Sequence, residues 1–370
     1  MNKRPRPSVL ICIVTLCLTI QPFALHAQDE ITIPYPPSTV ILDTIFDWTT
    51  HVRDAHGSDN WAITWAGDDH QYATWGDGGG FNSVEGDGRV SLGVARIEGD
   101  AEAHTGINIW GGAGSTYPAQ FPGKSYGIIS IENVLYMWVS PWSGVNNYTE
   151  ARLAYSSDWG ATWTQVDWAF TQEDELVLPT ILQFGKDYAG ARDEYVYHYA
   201  VRLKDASEML VQIPGEIDLM RVPLYHMLER GAYEFFAGLN EAGEPMWTPD
   251  IEARVPVFQD ANGVGWTVSA SYNAGLERYL LITEHGQTFS GNMGIFDAPE
   301  PWGPWSTVEY YTNWGDTLET FFWNFSNKWL SEDGRDFTLI YTGLGAHDSW
   351  NTVRGHFVAI EPASELPTAQ

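Results

Sequence analysis

An internal repeat constrains this chain more than any other feature of its sequence. Five segments share one pattern, in which an apolar strand, a polar turn and an aromatic-rich strand follow one another. Aromatic and β-branched runs broken by glycine, proline, asparagine and aspartate are typical of short strands joined by turns. The segments cover residues 61–75, 126–138, 188–199, 271–282 and 328–341. Such self-similarity indicates an architecture made of repeated structural units.

Each hairpin is followed by further strand patterns, so one repeat can supply a whole sheet. The repeats recur about every 65 residues, which fits one four-stranded sheet with long connections. The segment Ser156–Trp163 resembles the Asp-x-Gly-x-Thr-Trp turn of sialidase-type propellers, and Ala298–Trp305 resembles the Gly-Pro-Trp turn of sugar-cleaving propellers. The sequence therefore predicts an all-β, five-bladed β-propeller. We expect residues 41–48 to supply the final strand of the last blade.

A β-sandwich is the alternative to a propeller. A β-sandwich also contains many short strands, but it explains the spacing of the repeats less well.

Within residues 223–238, Leu224, Leu228 and Tyr233 fall at rough helical spacing, and Gly231 would end a helix early. We therefore expect one short helical segment in an otherwise all-β domain.

The amino-terminal segment has the pattern of a secretory signal peptide. Three basic residues precede an apolar run at residues 9–20, which is too short to span a bilayer. A small residue, Ala27, precedes the expected cleavage point, and an uncleaved membrane anchor is the alternative. The sequence thus predicts a signal peptide at 1–27 and a single propeller domain at 28–365. The protein is expected to be secreted or periplasmic.

Both cysteines, Cys12 and Cys17, lie inside this leader. A chain that begins at residue 28 would have no cysteine, so its core must stabilise it without disulfides. It would also lack a thiol nucleophile and any cysteine ligand for zinc or an iron–sulfur centre. We expect no cofactor and no metal. Calcium is compatible with oxygen ligands in a propeller channel, but no ligand spacing in the sequence requires it.

The charge balance is strongly acidic. The chain has 19 Lys and Arg against 48 Asp and Glu, which gives a net charge of −29. Such a surface repels phosphate backbones and anionic membranes. We therefore expect no nucleic-acid partner and no membrane association after the leader is removed, and strongly anionic polymers are disfavoured as ligands. A solvated acidic surface without further function also explains this composition.

The first repeat contains the best candidates for chemistry. Asp59 precedes its first strand and Asp77 follows its second strand. With a turn at residues 67–69, the hairpin places the two aspartates opposite each other, with Cβ atoms ~5 Å apart. Glycoside hydrolysis needs such a pair, in which one carboxyl protonates the leaving oxygen and the other acts as nucleophile or base. The structural alternative is that Asp59 caps a turn and Asp77 belongs to an Asp-Gly turn.

A specific combination of motifs runs through the chain. The segments are 59–68, 72–81, 94–99, Phe184–Asp193, Ala232–Gly238, Ser271–Gly275, Gly294–Trp305 and Lys328–Gly334. Together they resemble a large bacterial propeller family long described as a domain of unknown function, over residues 40–358. This family looks related to the endo-D-arabinanase propellers, whose two catalytic aspartates correspond by motif position to Asp59 and Asp77. The resemblance implies an arabinanase-like glycoside hydrolase acting on a polysaccharide or oligosaccharide, with the sugar itself left open.

Further residues are candidates for sugar binding because of their positions in the repeats. They are Asn60, Arg192, Tyr272, Asn273, Lys328 and Trp329. Amide, ammonium and guanidinium groups can hydrogen-bond sugar hydroxyls, and a tryptophan can stack on a sugar ring. A structural contact between blades is the alternative for each. Asp348, Asn351 and Arg354, near the closing strand, are weaker candidates to support the site.

Two other functional classes are open at this stage. A polysaccharide lyase would use histidine and tyrosine as base and acid. The candidates for those roles are His198, Tyr199, Tyr272 and His285. A non-catalytic glycan-binding propeller would use the carboxylates only to hold sugar hydroxyls or a metal ion. A hydrolase releases reducing ends, a lyase also forms products that absorb in the ultraviolet, and a binding protein does neither.

Overall fold

The chain is built from five β-sheets, which confirms the predicted five-bladed β-propeller. The computed structural model describes residues 31–360, with gaps at 85, 143–146, 205–209, 317–318 and 344–347. The predicted signal peptide, and the predicted domain end at 365, lie outside the described residues. Among the described residues, no helix has both the length and the apolar character needed to span a membrane.

The strands are numbered in chain order, and neighbouring strands within each sheet are antiparallel. Strand β1 spans Ile41–Asp54. The first blade contains β2 (Asp59–Trp65), β3 (Gln71–Gly76), β4 (Gly93–Gly99) and β5 (His104–Trp110). The second contains β6 (Ile128–Ile131), β7 (Val134–Val139), β8 (Glu150–Ser156), β9 (Thr164–Gln165) and β10 (Phe170–Thr171). The third contains β11 (Pro179–Ile181), β12 (Tyr195–Val201), β13 (Gly215–Pro223), β14 (Glu234–Leu239), β15 (Pro245–Thr248) and β16 (Phe258–Asp260).

The last two blades complete the ring. The fourth contains β17 (Ser269–Asn273), β18 (Arg278–Glu284), β19 (Met293–Ala298) and β20 (Ser306–Tyr310). The fifth contains β21 (Phe321–Phe325), β22 (Asp336–Thr342), β23 (Trp350–Ala359) and, as its outer strand, β1. Pairing of β1 with β23 runs from Ile41 opposite Ala359 to Asp54 opposite Trp350. The prediction that an amino-terminal strand closes the last blade is therefore confirmed.

The innermost strand of each blade contacts the innermost strands of its neighbours, and these contacts close a ring. Ser130 donates its N–H to Oγ1 of Thr64, which joins the second blade to the first. The remaining contacts are Gln183 Nε2 to Ile128 O, Gln183 N to Ala270 O, Ser269 Oγ to Trp323 O and Asn324 Nδ2 to Trp61 O. They link the second blade to the third, the third to the fourth, the fourth to the fifth and the fifth to the first.

All five innermost strands run in the same direction around the channel. The bridge between Gln183 and Ser271 is parallel, and the turns that follow the innermost strands of the first and fifth blades lie together, joined by the ion pair between Asp69 and Lys328. The starts of these strands, such as Asp59 and Phe321, therefore lie at one end of the channel, which we call the entry face. Their ends, such as Trp65 and Asn273, lie at the other end, which we call the turn face.

Two predicted innermost strands are wrong. In the third blade that strand is Pro179–Ile181, whereas the predicted Tyr188–Gly190 begins in a 3₁₀ turn, Lys186–Tyr188, whose second and third residues have positive φ. In the fifth blade it is Phe321–Phe325, and the predicted start at Lys328 lies in the 3₁₀ turn Asn327–Trp329. The Oγ of Ser326 accepts the N–H of Trp329 and so begins that turn. A strand buried on both faces lacks the apolar–polar alternation that marks a half-buried strand in a sequence.

The expected helix at 223–238 is also absent from the described structure. Its place is taken by the end of β13, two 3₁₀ turns at Leu224–His226 and Arg230–Ala232, and strand β14. The other 3₁₀ turns are Gln172–Asp174, Ile251–Ala253 and Trp314–Asp316. Tyr233, whose spacing suggested a helix, is buried and donates its hydroxyl to the carbonyl of Met227. Its burial therefore reflects packing beneath a loop and not one face of a helix.

Candidate active site

The two aspartates of the first repeat lie at the entry face, on the hairpin of β2 and β3. The predicted register holds from Trp65 opposite Gln71 to Ala62 opposite Thr74. A bulge then follows, and Asp59 lies opposite Gly76 and not, as predicted, opposite Asp77. Asn60 and Asp77 have positive φ angles of 59° and 54°, which accommodate this change of register. The predicted opposition was thus wrong by one residue.

Lys124 lies between the two carboxylates. Its Nζ is 2.7 Å from Oδ2 of Asp77 and 3.8 Å from Oδ1 of Asp59, and its side chain is 2% exposed. The Lys124 backbone exchanges two hydrogen bonds with Ser140, at the end of β7. The ammonium therefore comes from the second blade and reaches the aspartates of the first.

Gly76 makes room for this arrangement. A Cβ atom at Gly76 would lie 2.6 Å from Oδ1 of Asp59 and 2.7 Å from Nζ of Lys124. Both atoms belong to side chains that are held by charge and burial, so neither can move away cheaply. A residue with a side chain at this position would therefore separate the carboxylate from the ammonium.

Asp59 and Asp77 occupy different environments. Asp59 is 9% exposed, and burial raises its pKa above the ordinary value. Lys124 opposes that rise in the pKa of Asp59, the charge of Asp77 adds to it, and the Asn60 amide donates to Oδ1 at 2.7 Å. The side chain of Asp77 is 27% exposed and has a second cation, Arg89, at 3.7 Å. Asp59 is thus the carboxyl favoured to carry a proton, and Asp77 is the salt-bridged carboxylate.

A third carboxyl group lies in the same electrostatic environment. Burial raises the pKa of Asp348 to about 7, and the charges of Asp59 and Asp77 add to this increase. The carbonyl oxygen of Asp348, just before β23, accepts the N–H of Gly57 at 2.6 Å, which ties the fifth blade to the residues that lead into the strand of Asp59. Asp348 therefore contributes to the acidic potential around the pair.

Aromatic side chains close the channel beneath the pair. The ring of Tyr126, which is 2% exposed, lies 5.1 Å from Trp266 of the fourth blade and 5.9 Å from Phe322 of the fifth. Its hydroxyl is 3.2 Å from that of Tyr148. These contacts cross from the second blade to the opposite side of the ring, so the entry face has an apolar floor.

Among the predicted sugar-binding residues, only Asn60 lies beside the pair. Asn60 is 1% exposed and its amide nitrogen is used on Asp59, so it supports the carboxylate and does not face a ligand. The backbone N–H of Asn60 donates to Oγ1 of Thr342. This bond anchors the bulge to the fifth blade.

The structure places the other five candidates at the turn face, away from the pair. Lys328 makes an ion pair with Asp69, at the turn of the first hairpin. Arg192 makes an ion pair with Glu300 and lies over the ring of Trp302. Tyr272 and Asn273 border a cavity of about 200 Å³ at this face. Trp329 is 8% exposed and packs against His104.

This placement corrects the expectation that they join the site. They lie at or beyond the ends of innermost strands, whereas Asp59 lies at the start of one, and all innermost strands run the same way. Position in the repeat did not assign these residues to an end of the channel.

The four residues suggested for lyase chemistry do not form a group at the entry face. His198 is fully buried and accepts the indole N–H of Trp138. His285 is 1% exposed and stacks on Tyr310, and the Tyr199 hydroxyl donates to the carbonyl of Pro301. Tyr272, as described above, lies at the turn face.

Sequence reasoning missed Lys124, Arg89 and the pair of Tyr126 and Tyr148. A signal for Lys124 was present, because it precedes Tyr126 by two residues just as Asp59 precedes Trp61. Charged residues at equivalent positions before two innermost strands should meet at one face. The described residues contain no group of three or more His, Cys, Asp or Glu side chains arranged to hold a metal ion.

The fold and this site define a five-bladed β-propeller with a carboxylate pair at one end of its channel. Residues 125–343 match the family described as a domain of unknown function, DUF4185, and the chain belongs to that family. The matched range begins after the first blade, so it does not include Asp59 or Asp77. No curated protein matches this chain.

Several solved structures are similar to the chain at low identity, and they are glycoside hydrolases. The GH43_1 enzyme from Xanthomonas citri is 12% identical, with a TM-score of 0.48 over 85% of this chain and 92% of that one. The α-L-arabinofuranosidase PaAbf62A from Podospora anserina is 11% identical, with a TM-score of 0.46 over 86% and 98%. The catalytic domain of the Coprinopsis cinerea GH62 α-L-arabinofuranosidase is 12% identical, with a TM-score of 0.47 over 86% and 98%. No residue of the site is assigned from these similarities.

Proposed function

We propose that this chain is an exported, arabinanase-like glycoside hydrolase that cleaves a neutral polysaccharide with Asp59 and Asp77. One observation carries the proposal: the two carboxyl groups share a single buried ammonium, that of Lys124, but differ in burial and in their other partners. Two carboxyl groups with separated protonation behaviour are the requirement for hydrolysis of a glycosidic bond.

The chemistry follows from these environments. Asp59, whose pKa is raised by burial, donates its proton to the glycosidic oxygen as the bond to the anomeric carbon breaks. The bonding electrons leave with that oxygen, and positive charge develops on the sugar ring. Asp77, the more exposed carboxylate, then either attacks the anomeric carbon or takes a proton from the water that attacks it.

The electrostatics favour a neutral substrate. Asp59, Asp77 and Asp348 lie close enough to influence one another's charge, and Lys124 and Arg89 are the basic residues that contact the pair among the described residues. The whole chain carries a net charge of −29. A polymer of uronates would meet repulsion at this face, which supports a neutral glycan over the lyase substrate class.

Assays of the wild-type protein separate the three classes. The chain is incubated with D-arabinan, L-arabinan, xylan and polygalacturonate, and reducing ends and ultraviolet absorbance are followed together. We expect reducing ends from a neutral glycan without new absorbance. Absorbance that rises with the reducing ends indicates a lyase, and glycan binding without either product indicates a binding protein. Both of these results would contradict the proposal.

A further inference from the structure

A continuous series of aromatic contacts crosses the entry face. It begins at Trp142, which follows β7 in the second blade and lies 5.3 Å from Tyr148. It continues through Tyr126 to Trp266, and Trp266 lies 5.8 Å from Phe289, in the loop between β18 and β19. The series therefore extends from the neighbour of the catalytic blade to the opposite side of the ring.

Only the two ends of this series are open to a ligand. Tyr126, Tyr148 and Trp266 are 2%, 5% and 4% exposed, whereas Trp142 is half-buried and Phe289 is 39% exposed. An aromatic side chain exposed at the rim of a site costs solvation free energy, which a bound apolar surface can recover. The C–H groups on one face of a sugar ring provide such a surface.

The near end lies next to the carboxylate pair. The Nζ of Lys124, which contacts both aspartates, is 5.3 Å from the centre of the Trp142 ring. A sugar unit stacked on Trp142 would therefore be adjacent to the glycosidic bond that Asp59 and Asp77 cleave. Trp142 does not contact the aspartates directly, so its role is to position the substrate.

The far end is held in place by a buried carboxyl group. Glu284 is fully buried at the end of β18, and its Oε1 accepts the N–H of Phe289 at 2.6 Å. Phe289 has a positive φ of 56°, and its ring packs 4.6 Å from that of Phe321. The loop is therefore fixed in a conformation that presents this phenylalanine at the entry face.

We propose that Trp142 and Phe289 are two sugar-stacking positions of one extended binding site. This inference rests on the proposed hydrolase function and adds where two sugar units of the substrate chain bind. One unit stacks on Trp142 beside the pair, and a more distant unit stacks on Phe289 across the channel floor. Short oligosaccharides that occupy the near position do not reach the far one.

The test compares KM for long and short substrate chains in the variants Trp142→Ala and Phe289→Ala. Tyr225→Ala is the matched control, because Tyr225 is 72% exposed and lies at the turn face. With the neutral glycan that the wild type cleaves and with short oligosaccharides from the same polymer, Trp142→Ala is expected to raise KM about tenfold on both. Phe289→Ala is expected to raise KM about tenfold on the polymer only, and Tyr225→Ala to change neither.

Phe289→Leu separates loss of the aromatic ring from loss of stability, because leucine keeps an apolar group against Trp266. It is expected to reproduce the polymer-specific defect with an unchanged unfolding midpoint. If the wild type cleaves a neutral glycan and both alanine variants behave like Tyr225→Ala on it, the stacking positions are wrong and the hydrolase function stands. If the wild type cleaves none of the four glycans tested above, the hydrolase function fails and this inference fails with it.

Discussion

At the residue scale, Lys124 determines how the two carboxyl groups behave. It lies within 4 Å of both and is almost completely buried, so its charge is weakly screened. It lowers the pKa of Asp59 against the larger opposing effect of burial. The ammonium thus limits how far the pKa of Asp59 rises above that of an ordinary carboxyl group. It is also the cation closest to Asp77.

Replacing Lys124 by methionine should change the pH dependence of activity. Without the ammonium, the pKa of Asp59 rises further, so the basic limb of the kcat/KM profile should move to higher pH, by about one unit. The rate at the original optimum should fall at least about tenfold, because Asp77 loses its closest partner. Lys186→Met is the matched control, since Lys186 makes its ion pair with Asp69. A basic limb that does not move would show that Lys124 is only structural.

The bulge at Asn60 marks the limit of what the sequence could predict for single residues. The closeness of the two aspartates was predictable, because residues at equal distances from a hairpin turn lie opposite each other. Ala62 to Trp65 keep this register. The departure at Asp59 depends on a bond from Asn60 to Thr342, which lies 282 positions away in the chain. A local pattern contains no information about such a contact.

At the element scale, a carboxyl pair connects the closing strand to the fourth blade. Glu309 on β20 accepts the N–H of Thr44 on β1 at 3.0 Å. Burial, followed by a hydrogen bond with Asp43, raises the pKa of Glu309 to about 7. Because this folded-state pKa exceeds the ordinary value, the unfolded chain ionises first as pH rises. The associated stability is complete below pH 4.5 and is lost between that pH and about 7.

Glu309→Gln should remove this pH dependence while keeping an acceptor for Thr44. At pH 8 the variant should unfold about 2 °C above the wild type, and at pH 4 the two midpoints should agree more closely. Glu241→Gln, at an exposed loop position, is the control and should change little at either pH. A stabilisation of equal size at both pH values would contradict the assignment to Glu309.

The elements also show which patterns are reliable in this fold. Second strands such as β7 and β12 were found because aromatic residues follow a polar turn. The innermost strands β11 and β21 were missed, since one has only three residues and the other is buried along its whole length. Their neighbours Tyr188 and Trp329 are buried aromatic residues of 3₁₀ turns. In the sequence, such residues resemble the aromatic residues of a strand.

At the scale of the whole molecule, closure of the ring decides which residues can act together. The number of blades and the closing strand were predictable, because both follow from counting repeats and from the extra strand pattern at the amino terminus. Position in the repeat does not distinguish the two faces, and five of the candidates lie at the face opposite the carboxylate pair. The parallel direction of the innermost strands would have separated them.

The central claim is that Asp59 and Asp77 together cleave a glycosidic bond. The most direct measurement is the release of reducing ends by Asp59→Asn, Asp77→Asn and the control Asp69→Asn, from the glycan that the wild type cleaves. Asp69 lies on the same hairpin but at the turn face. We predict that both site variants remain folded at the assay temperature and lose about 10³-fold in rate, while the control keeps its activity. Activity retained in a folded Asp59→Asn or Asp77→Asn variant would contradict the claim.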